Sequence, residues 1–126
     1  LVEFIGEIGD ADKAAFLGGA RALLFPIDWP EPFGLVMIEA MACGTPVVAW
    51  DCGSVPEVVD DRITGRVVHS EAEAAAAVSE VAGYDRQRIR DVFERRFSSA
   101  AMARGYDTLY RRLLAREHGT DLQRTA

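Results

Sequence analysis

Residues 21–50, RALLFPIDWPEPFGLVMIEAMACGTPVVAW, contain two kinds of apolar segment. RALLFPI and TPVVAW have the length of strands. FGLVMIEAMACG is long enough for a helix, and it ends at Gly44, a residue type common at helix C-termini. Strands that are apolar throughout and are separated by a helix indicate a parallel sheet covered on both faces. This stretch therefore predicts a β-α-β unit of an α/β fold.

The same alternation continues on both sides of this unit. An apolar run at residues 2–5 and the segment TGRVV at residues 64–68 predict two further strands. GDADKAAFLGGA predicts a helix with Asp10 or Asp12 as its N-cap, and VPEVVDD predicts a short one. The fold class predicted is α/β, a Rossmann-like parallel sheet with helices on both faces, followed by C-terminal helices.

The C-terminal part of the sequence is predicted to be helical. SEAEAAAAVSEVAG opens with Ser70 and Glu73 at the spacing of a capping box. DRQRIRDVFERRF and SSAAMARGYDTLYRRLLAREHG follow as two more helices. The last carries an apolar stripe at helical spacing, for which core packing is predicted: Met102, Tyr106, Leu109, Tyr110, Leu113 and Leu114. Residues 1–118 are assigned to the folded domain, and the polar residues 119–126 to a flexible tail.

The composition limits the classes of function. With 126 residues, 49% hydrophobic and 27% charged, the chain has the make-up of one soluble globular domain. A net charge of −6 argues against nucleic acid or an anionic membrane as partner. No apolar run approaches the ~20 residues of a transmembrane segment, and no signal peptide is found. Cys43 and Cys52 fit no metal or redox spacing, which favours reduced cysteines in a cytoplasmic protein.

Two glutamates flank the predicted turn between the strand RALLFPI and its helix. The first turn of a helix attracts anions, and Gly34 would let a ligand approach the backbone closely. Glu39 lies five residues further on, roughly 7.5 Å along the helix axis, and could accept hydrogen bonds from vicinal hydroxyls. Glu31 lies on the other side of the turn. Taken singly, Glu31 could be a solvated loop acid, and Glu39 could be exposed or paired with a cation.

The segment Glu31-Pro-Phe-Gly-Leu-Val-Met-Ile-Glu39, two glutamates with seven residues between them, has agreeing flanks. ARALLFPI precedes it, AMACGTPVVAWDCGSVPEVV and TGRVV follow, and RRFS with LYRRLL closes the chain. These segments resemble the retaining glycosyltransferases of family 4 (group 1), which use nucleotide-sugar donors. The resemblance covers nearly the whole sequence. The resemblance implies the two-domain GT-B fold, with this chain as a fragment of the C-terminal, donor-binding domain.

The resemblance also implies roles for single residues. Glu39 should hold the ribose hydroxyls of a UDP-, GDP- or ADP-sugar. Glu31, the catalytic candidate, should contact the hydroxyls of the transferred sugar. The backbone around Gly34 and Leu35 should meet the diphosphate or the sugar, and Phe33 should shape the turn. Such enzymes need no metal and no cofactor, and the leaving phosphate is usually held to help deprotonate the acceptor, without an established protein nucleophile.

Parts of the family pattern have no counterpart in this sequence. Family members carry an arginine and a lysine upstream that neutralise the diphosphate, whereas the chain begins at Leu1 without that region, and Lys13 does not match. The acceptor-binding N-terminal domain has no counterpart either, and the acceptor stays unknown. We therefore expect the later part of a donor-binding domain, inactive alone. Surfaces left exposed by truncation, such as an open sheet edge, could support a homodimer.

Other classes of protein fit the sequence less well. A phosphoacceptor signalling domain would need a lysine after its last strand, and a dinucleotide-dependent oxidoreductase would need G-x-G-x-x-G where this chain has IGEIGD. A non-catalytic interaction module that keeps half of the GT-B fold is the main alternative. A sugar-nucleotide epimerase or a relative of glycogen or sucrose synthase would share the fold.

A few residues stay open at this level. His69 and His118 are expected at the surface. The turn around Asp51 and Ser54 could approach a nucleotide base or be explained by turn chemistry alone. Trp29 could stack on a ligand or cap the core.

Overall fold

The computed structural model describes residues 2–124, with side chains up to residue 116. The chain divides into two units between Phe93 and Glu94. The elements, in chain order, are α1 (Asp10–Gly19), β1 (Leu23–Phe25), α2 (Leu35–Ala42), β2 (Val47–Trp50), α3 (Val55–Val58), β3 (Gly65–Val68), α4 (Glu71–Val81), α5 (Arg86–Arg96) and α6 (Ser99–Arg124).

The first unit is built on a parallel sheet with the strand order β1-β2-β3. Leu23 pairs with Val47, and Val47 pairs in turn with Gly65. Each strand therefore leads to the next through a helical crossover, as parallel strands require. The α/β fold class predicted from the sequence is confirmed, and the β-α-β unit at residues 21–50 forms as predicted.

The core lies where helices cover the sheet. Val48 and Val68 pack on Ala77 and Val81, so α4 covers one side of β2 and β3. Side chains alternate between the two faces of a strand, and Val47 is also fully buried. The helix α2 packs against β1 and β2 and against α1, and it buries the side chains of Met37 and Met41 completely.

The end of α1 is tied to the start of α5 by one guanidinium. Arg86 donates to the carbonyl oxygens of Gly18 at 2.6 Å and Ala20 at 2.9 Å. The last carbonyls of a helix lack partners within the helix, so this arginine satisfies them. It also donates to the buried hydroxyl of Thr45 at 2.7 Å. These contacts fix α1 beside the sheet, where it reaches α2.

The predicted strand at residues 2–5 is wrong. Residues 2–9 belong to no helix or strand, and Val2 and Phe4 are 81% and 95% exposed. An apolar run becomes a strand only when a neighbouring strand accepts its hydrogen bonds. Within the described residues β1 pairs only with β2, so its other edge is open.

Helix boundaries are largely as predicted, with one correction. The N-cap of α1 is Gly9, not Asp10 or Asp12, which lie in its first turn. The capping box of α4 forms on one side as predicted, since the amide of Glu73 donates to Ser70 Oγ at 3.2 Å. The carboxylate of Glu73 accepts instead from the amide of His69, at 2.8 Å.

The second unit contains the long helix α6, and the predicted burial of its apolar stripe is wrong. The six side chains of the stripe, from Met102 to Leu114, are each 46–59% exposed. Periodicity indicates an apolar face, but burial requires a second surface to cover it. A homodimer that covers this face or the open edge of β1 stays a prediction. So does the flexible tail at 119–126, where the backbone is helical to Arg124 and the last two residues lie outside the described part.

Candidate functional site

The two glutamates lie on either side of the turn that joins β1 to α2. The turn follows the carboxyl end of β1, and residues 51–54 follow the carboxyl end of β2 beside it. Open α/β sheets bind ligands at this edge. Glu31, Gly34 and Glu39 are thus brought to the place where the sequence predicted a site.

Gly34 starts α2 in a conformation that few other residues adopt. Its φ is 73°, in the left-handed region. A Cβ at this position would lie 2.6 Å from Met37 Cε and 3.2 Å from Phe25 Cζ. From the sequence, this glycine is predicted to let a ligand approach the backbone closely. The structure gives it an internal reason as well, because a side chain would be strained at this φ and would force Met37 to move.

The carboxylate of Glu31 accepts hydrogen bonds on both oxygens. The amide of Gly34 donates to Oε1, and the indole Nε1 of Trp29 donates to Oε2, each at 3.2 Å. Both donors are neutral, so the carboxylate is oriented without being neutralised by a cation. The sequence left Trp29 open between stacking and capping the core; the structure places it beside Glu31, 54% exposed.

The backbone of Glu31 is held by the turn after β2. Its carbonyl oxygen accepts from the amide of Ser54 at 3.0 Å, and Cys52 Sγ lies 3.2 Å from the carbonyl oxygen of Trp29. Between them Gly53 has a φ of 56°, and a Cβ there would lie 2.6 Å from both N and O of Glu31. The two turns therefore touch through backbone atoms, and Gly53 permits this contact.

Glu39 pairs with a cation, one of the two possibilities that the sequence left open, and the cation is Lys13. Lys13 Nζ lies 3.0 Å from Glu39 Oε1 and 3.4 Å from Asp10 Oδ1. The hydrogen bond to Glu39 and the one to Asp10 raise the pKa of the Lys13 ammonium above 10.5. The pair joins α1 to α2 across 26 positions of sequence. Spacing could have linked Lys13 to Asp10, three residues away on one helix, but nothing local linked it to Glu39.

The amides at the start of α2 divide into two groups. Gly34 N–H is already bonded to Glu31. Within residues 2–124, the N–H groups of Leu35 and Val36 have no acceptor. These two amides stand at the positive end of the helix dipole and are the ones left for an anion. The side chains of Phe33 and Leu35 are 40% and 65% exposed beside them.

Two clefts adjoin these groups. One, of about 290 Å³, lies between α1 and α2 and is lined by Lys13, Glu39 and Cys43 among others. The other, of about 330 Å³, lies at the carboxyl ends of the strands. It is lined by Asp28, Trp50, Asp51, Cys52, Val68 and His69. Of these two clefts, only the smaller is lined by one of the two glutamates, Glu39.

The histidines and cysteines do not form a metal centre in the described part of the chain, where no group of three or more potential ligands occurs. The side chain of His69 is 66% exposed, as predicted, and its Nδ1 lies 3.8 Å from Asp51 Oδ2. His118 lies outside the residues whose side chains are described. Cys43 and Cys52 are free thiols.

Comparison with known proteins establishes the family. Residues 1–89 match the family described as glycosyl transferases group 1, so the chain belongs to that family. The chain is 41% identical over 81 residues to a phosphatidyl-myo-inositol mannosyltransferase of Mycobacterium leprae. It is 60% identical over 45 residues to an alpha-maltose-1-phosphate synthase of Mycobacterium tuberculosis.

These matches cover a larger share of this chain than of the relatives. They span 64% and 36% of this chain but 22% and 12% of the respective relatives. A D-inositol 3-phosphate glycosyltransferase of Streptomyces coelicolor is 43% identical over 61% of this chain and 17% of its own length. The chain therefore spans a minor part of the relatives that it matches.

A solved structure agrees with the fold. The crystal structure of AviGT4, a glycosyltransferase involved in avilamycin A biosynthesis, superposes with a TM-score of 0.73 at 31% identity. The match covers 88% of this chain and 36% of that one. It supports the assignment of the parallel α/β fold to the GT-B class. Among residues 2–124, no helix has both the length and the apolar character needed to cross a membrane.

Proposed function

We propose that this chain forms the later part of the donor site of a retaining family 4 glycosyltransferase that uses a nucleotide-sugar donor. One observation carries the proposal. In a member of the group 1 family, two oriented carboxylates flank a left-handed turn whose following helix presents unused amides. One acid matches the hydroxyls of the ribose, the anion-binding turn matches the diphosphate, and the other acid matches the hydroxyls of the transferred sugar.

Glu39 binds the ribose of the nucleotide. Lys13 donates a hydrogen bond to Oε1, and among the described residues no group bonds to Oε2, which leaves that oxygen available to the ribose hydroxyls. An ionised carboxylate acts as an acceptor only, which suits hydroxyl donors. The diphosphate then lies over the N-terminus of α2, where the amide of Leu35 donates to it. Phe33 covers the turn.

Glu31 contacts the hydroxyls of the transferred sugar. The bond between the anomeric carbon and the leaving phosphate breaks while the acceptor oxygen attacks from the same face, and the leaving phosphate takes the acceptor proton. No metal takes part. Glu31 is near the chemistry and positions the sugar, and no protein nucleophile is required. The names of the relatives suggest a hexose as the transferred sugar and a polyol or sugar phosphate as the acceptor.

The chain alone is proposed to bind the donor without transferring the sugar. The diphosphate-neutralising arginine and lysine of the family have no counterpart in it, and the acceptor is expected to lie on another domain. The two free thiols, Cys43 and Cys52, favour a reducing compartment, and we propose a cytoplasmic location.

The first prediction concerns nucleotide binding. We expect UDP, GDP or ADP to shift the amide NMR signals of Gly34, Leu35 and Glu39 when added to the chain. Glu39→Ala should weaken this binding by roughly ten- to a hundredfold, because hydrogen bonds to a charged group contribute about 1.5–3 kcal/mol. A titration of both proteins with each nucleotide measures the effect and identifies the base.

Glu71→Ala, at an exposed glutamate on α4, is the matched control and should bind as the parent does. Shifts that persist in Glu39→Ala would contradict the role of Glu39. An absence of shifts with all three nucleotides would contradict the donor site and favour the non-catalytic interaction module.

A further inference from the structure

The side chain of Trp29 occupies an unusual position for an indole. It is 54% exposed, yet its Nε1 is directed at Glu31 Oε2 across 3.2 Å. An exposed indole N–H could be satisfied by water at any orientation. Its hydrogen bond to a carboxylate two residues away therefore fixes both side chains relative to the turn.

The backbone around this pair leaves little freedom. The amide of Glu31 donates to the carbonyl oxygen of Trp29 at 2.7 Å, which closes a tight turn around Pro30. The same carbonyl oxygen lies 3.2 Å from Cys52 Sγ, and the carbonyl of Glu31 is bonded to Ser54 N–H. The main chain of Glu31 is thus already fixed. The remaining conformational freedom lies in its side chain, and the indole restricts that side chain.

The indole and Gly34 together leave the carboxylate able to bind a ligand. A carboxylate has two oxygens with about two acceptor positions each, and each oxygen of Glu31 uses one of them. The other position on each oxygen can accept from a hydroxyl. Because neither donor carries a charge, the full negative charge stays available to a sugar.

We propose that Trp29 is a positioning residue that orients Glu31 toward the transferred sugar through its indole N–H. The inference rests on the proposed function. It adds a residue that affects binding of the transferred sugar and not binding of the nucleotide. Trp29 acts on the carboxylate that meets the sugar and does not touch Glu39. Its loss should therefore weaken binding of a nucleotide sugar while binding of the nucleotide alone is unchanged.

The test compares two ligands on two variants. Affinities of the chain for UDP and UDP-glucose, GDP and GDP-mannose, and ADP and ADP-glucose are measured by calorimetry. Trp29→Phe removes the donor, and 3-benzothienylalanine at position 29 removes only the N–H while keeping the ring shape. Both should lower affinity for the nucleotide sugar roughly fivefold and leave the nucleoside diphosphate within about twofold, as expected for one hydrogen bond. Since Trp29 is half exposed, neither change removes core packing.

A second readout reports on the contact itself. The NMR signal of the Trp29 indole N–H should move in Glu31→Ala, whereas that of Trp50 should stay in place and serves as the reference. An equal loss for both ligands, or no loss for the nucleotide sugar, would overturn the positioning role. If the parent chain bound no nucleotide, the proposed function would fail, and an unmoved indole signal would independently refute the contact.

Discussion

Glu31 and Glu39 are held in different ways, although the sequence presents them as a matched pair. Glu31 accepts from two neutral donors, Trp29 and Gly34, within its own turn. Glu39 is held by the charge of Lys13, which comes from a different helix. The first arrangement is local and depends on backbone geometry, and the second depends on how α1 packs against α2.

The difference suggests a division of tasks. Neutral donors fix the direction of the Glu31 carboxylate without bringing a cation beside it, which suits recognition of hydroxyls on a sugar that must react. A cation beside Glu39 offsets the repulsion between that carboxylate and the diphosphate of the proposed donor. The two glutamates should therefore respond differently to changes in backbone, salt and pH.

The largest effect is expected on stability, at the backbone contact between Glu31 and the turn after β2. Gly53→Ala should lower the free energy of unfolding by about 2–5 kcal/mol, because alanine is strained at a φ of 56° and its Cβ would overlap backbone atoms of Glu31. Denaturant unfolding measures the loss. In the control Gly19→Ala, at the end of α1, the new Cβ meets no atom within 4 Å, and that variant should gain up to ~1 kcal/mol. A Gly53→Ala protein as stable as the parent would show that the two turns separate freely.

A smaller effect is expected on nucleotide binding, at the ion pair between Lys13 and Glu39. Lys13→Met keeps the length of the side chain and removes the ammonium, and it should weaken nucleotide binding by roughly two- to fivefold, as expected for a half-exposed ion pair. Lys13→Arg should retain much of the affinity. In about 1 M salt the effect of Lys13→Met should largely vanish, whereas that of Trp29→Phe on the nucleotide sugar should persist. Equal salt dependence at both sites would contradict the difference between the two glutamates.

The smallest effect concerns pH. The hydrogen bonds to Glu39 and Asp10 raise the pKa of Lys13 in the folded chain above 10.5, so the pair stabilises the fold below pH 10.5. This stabilisation is lost as the pH rises through the folded pKa. Lys13 is the only lysine, so an NMR titration of labelled lysine follows a single signal. Its pKa should fall toward 10.5 in Glu39→Gln, and an unchanged pKa in that variant would contradict the ion pair.

Much of the fold could be predicted from the sequence because its signals are local. Apolar runs of strand length, a helix that stops near Gly44 and the capping pair Ser70 and Glu73 each act within a few residues. The positions of Glu31, Gly34 and Glu39 followed from the same short-range reasoning, since strand, turn and helix place them at one edge of the sheet. The roles of these residues toward a donor stay predictions.

The errors occurred where an outcome depends on a second surface. Residues 2–5 have strand composition without a strand beside them. The stripe from Met102 to Leu114 has the period of a buried helix face and is half exposed. In both cases the apolar pattern is real, but burial and pairing need a partner that composition does not supply.

The sequence by itself determined the α/β alternation, the turn at Gly34 and the presence of an acid on each side of it, because spacing along one chain settles these features. Only the tertiary structure decided that Lys13 lies beside Glu39, and that Gly53 packs against Glu31. These contacts join residues more than twenty positions apart. They arise from the way in which helices and turns pack around the sheet, and no local pattern encodes that packing.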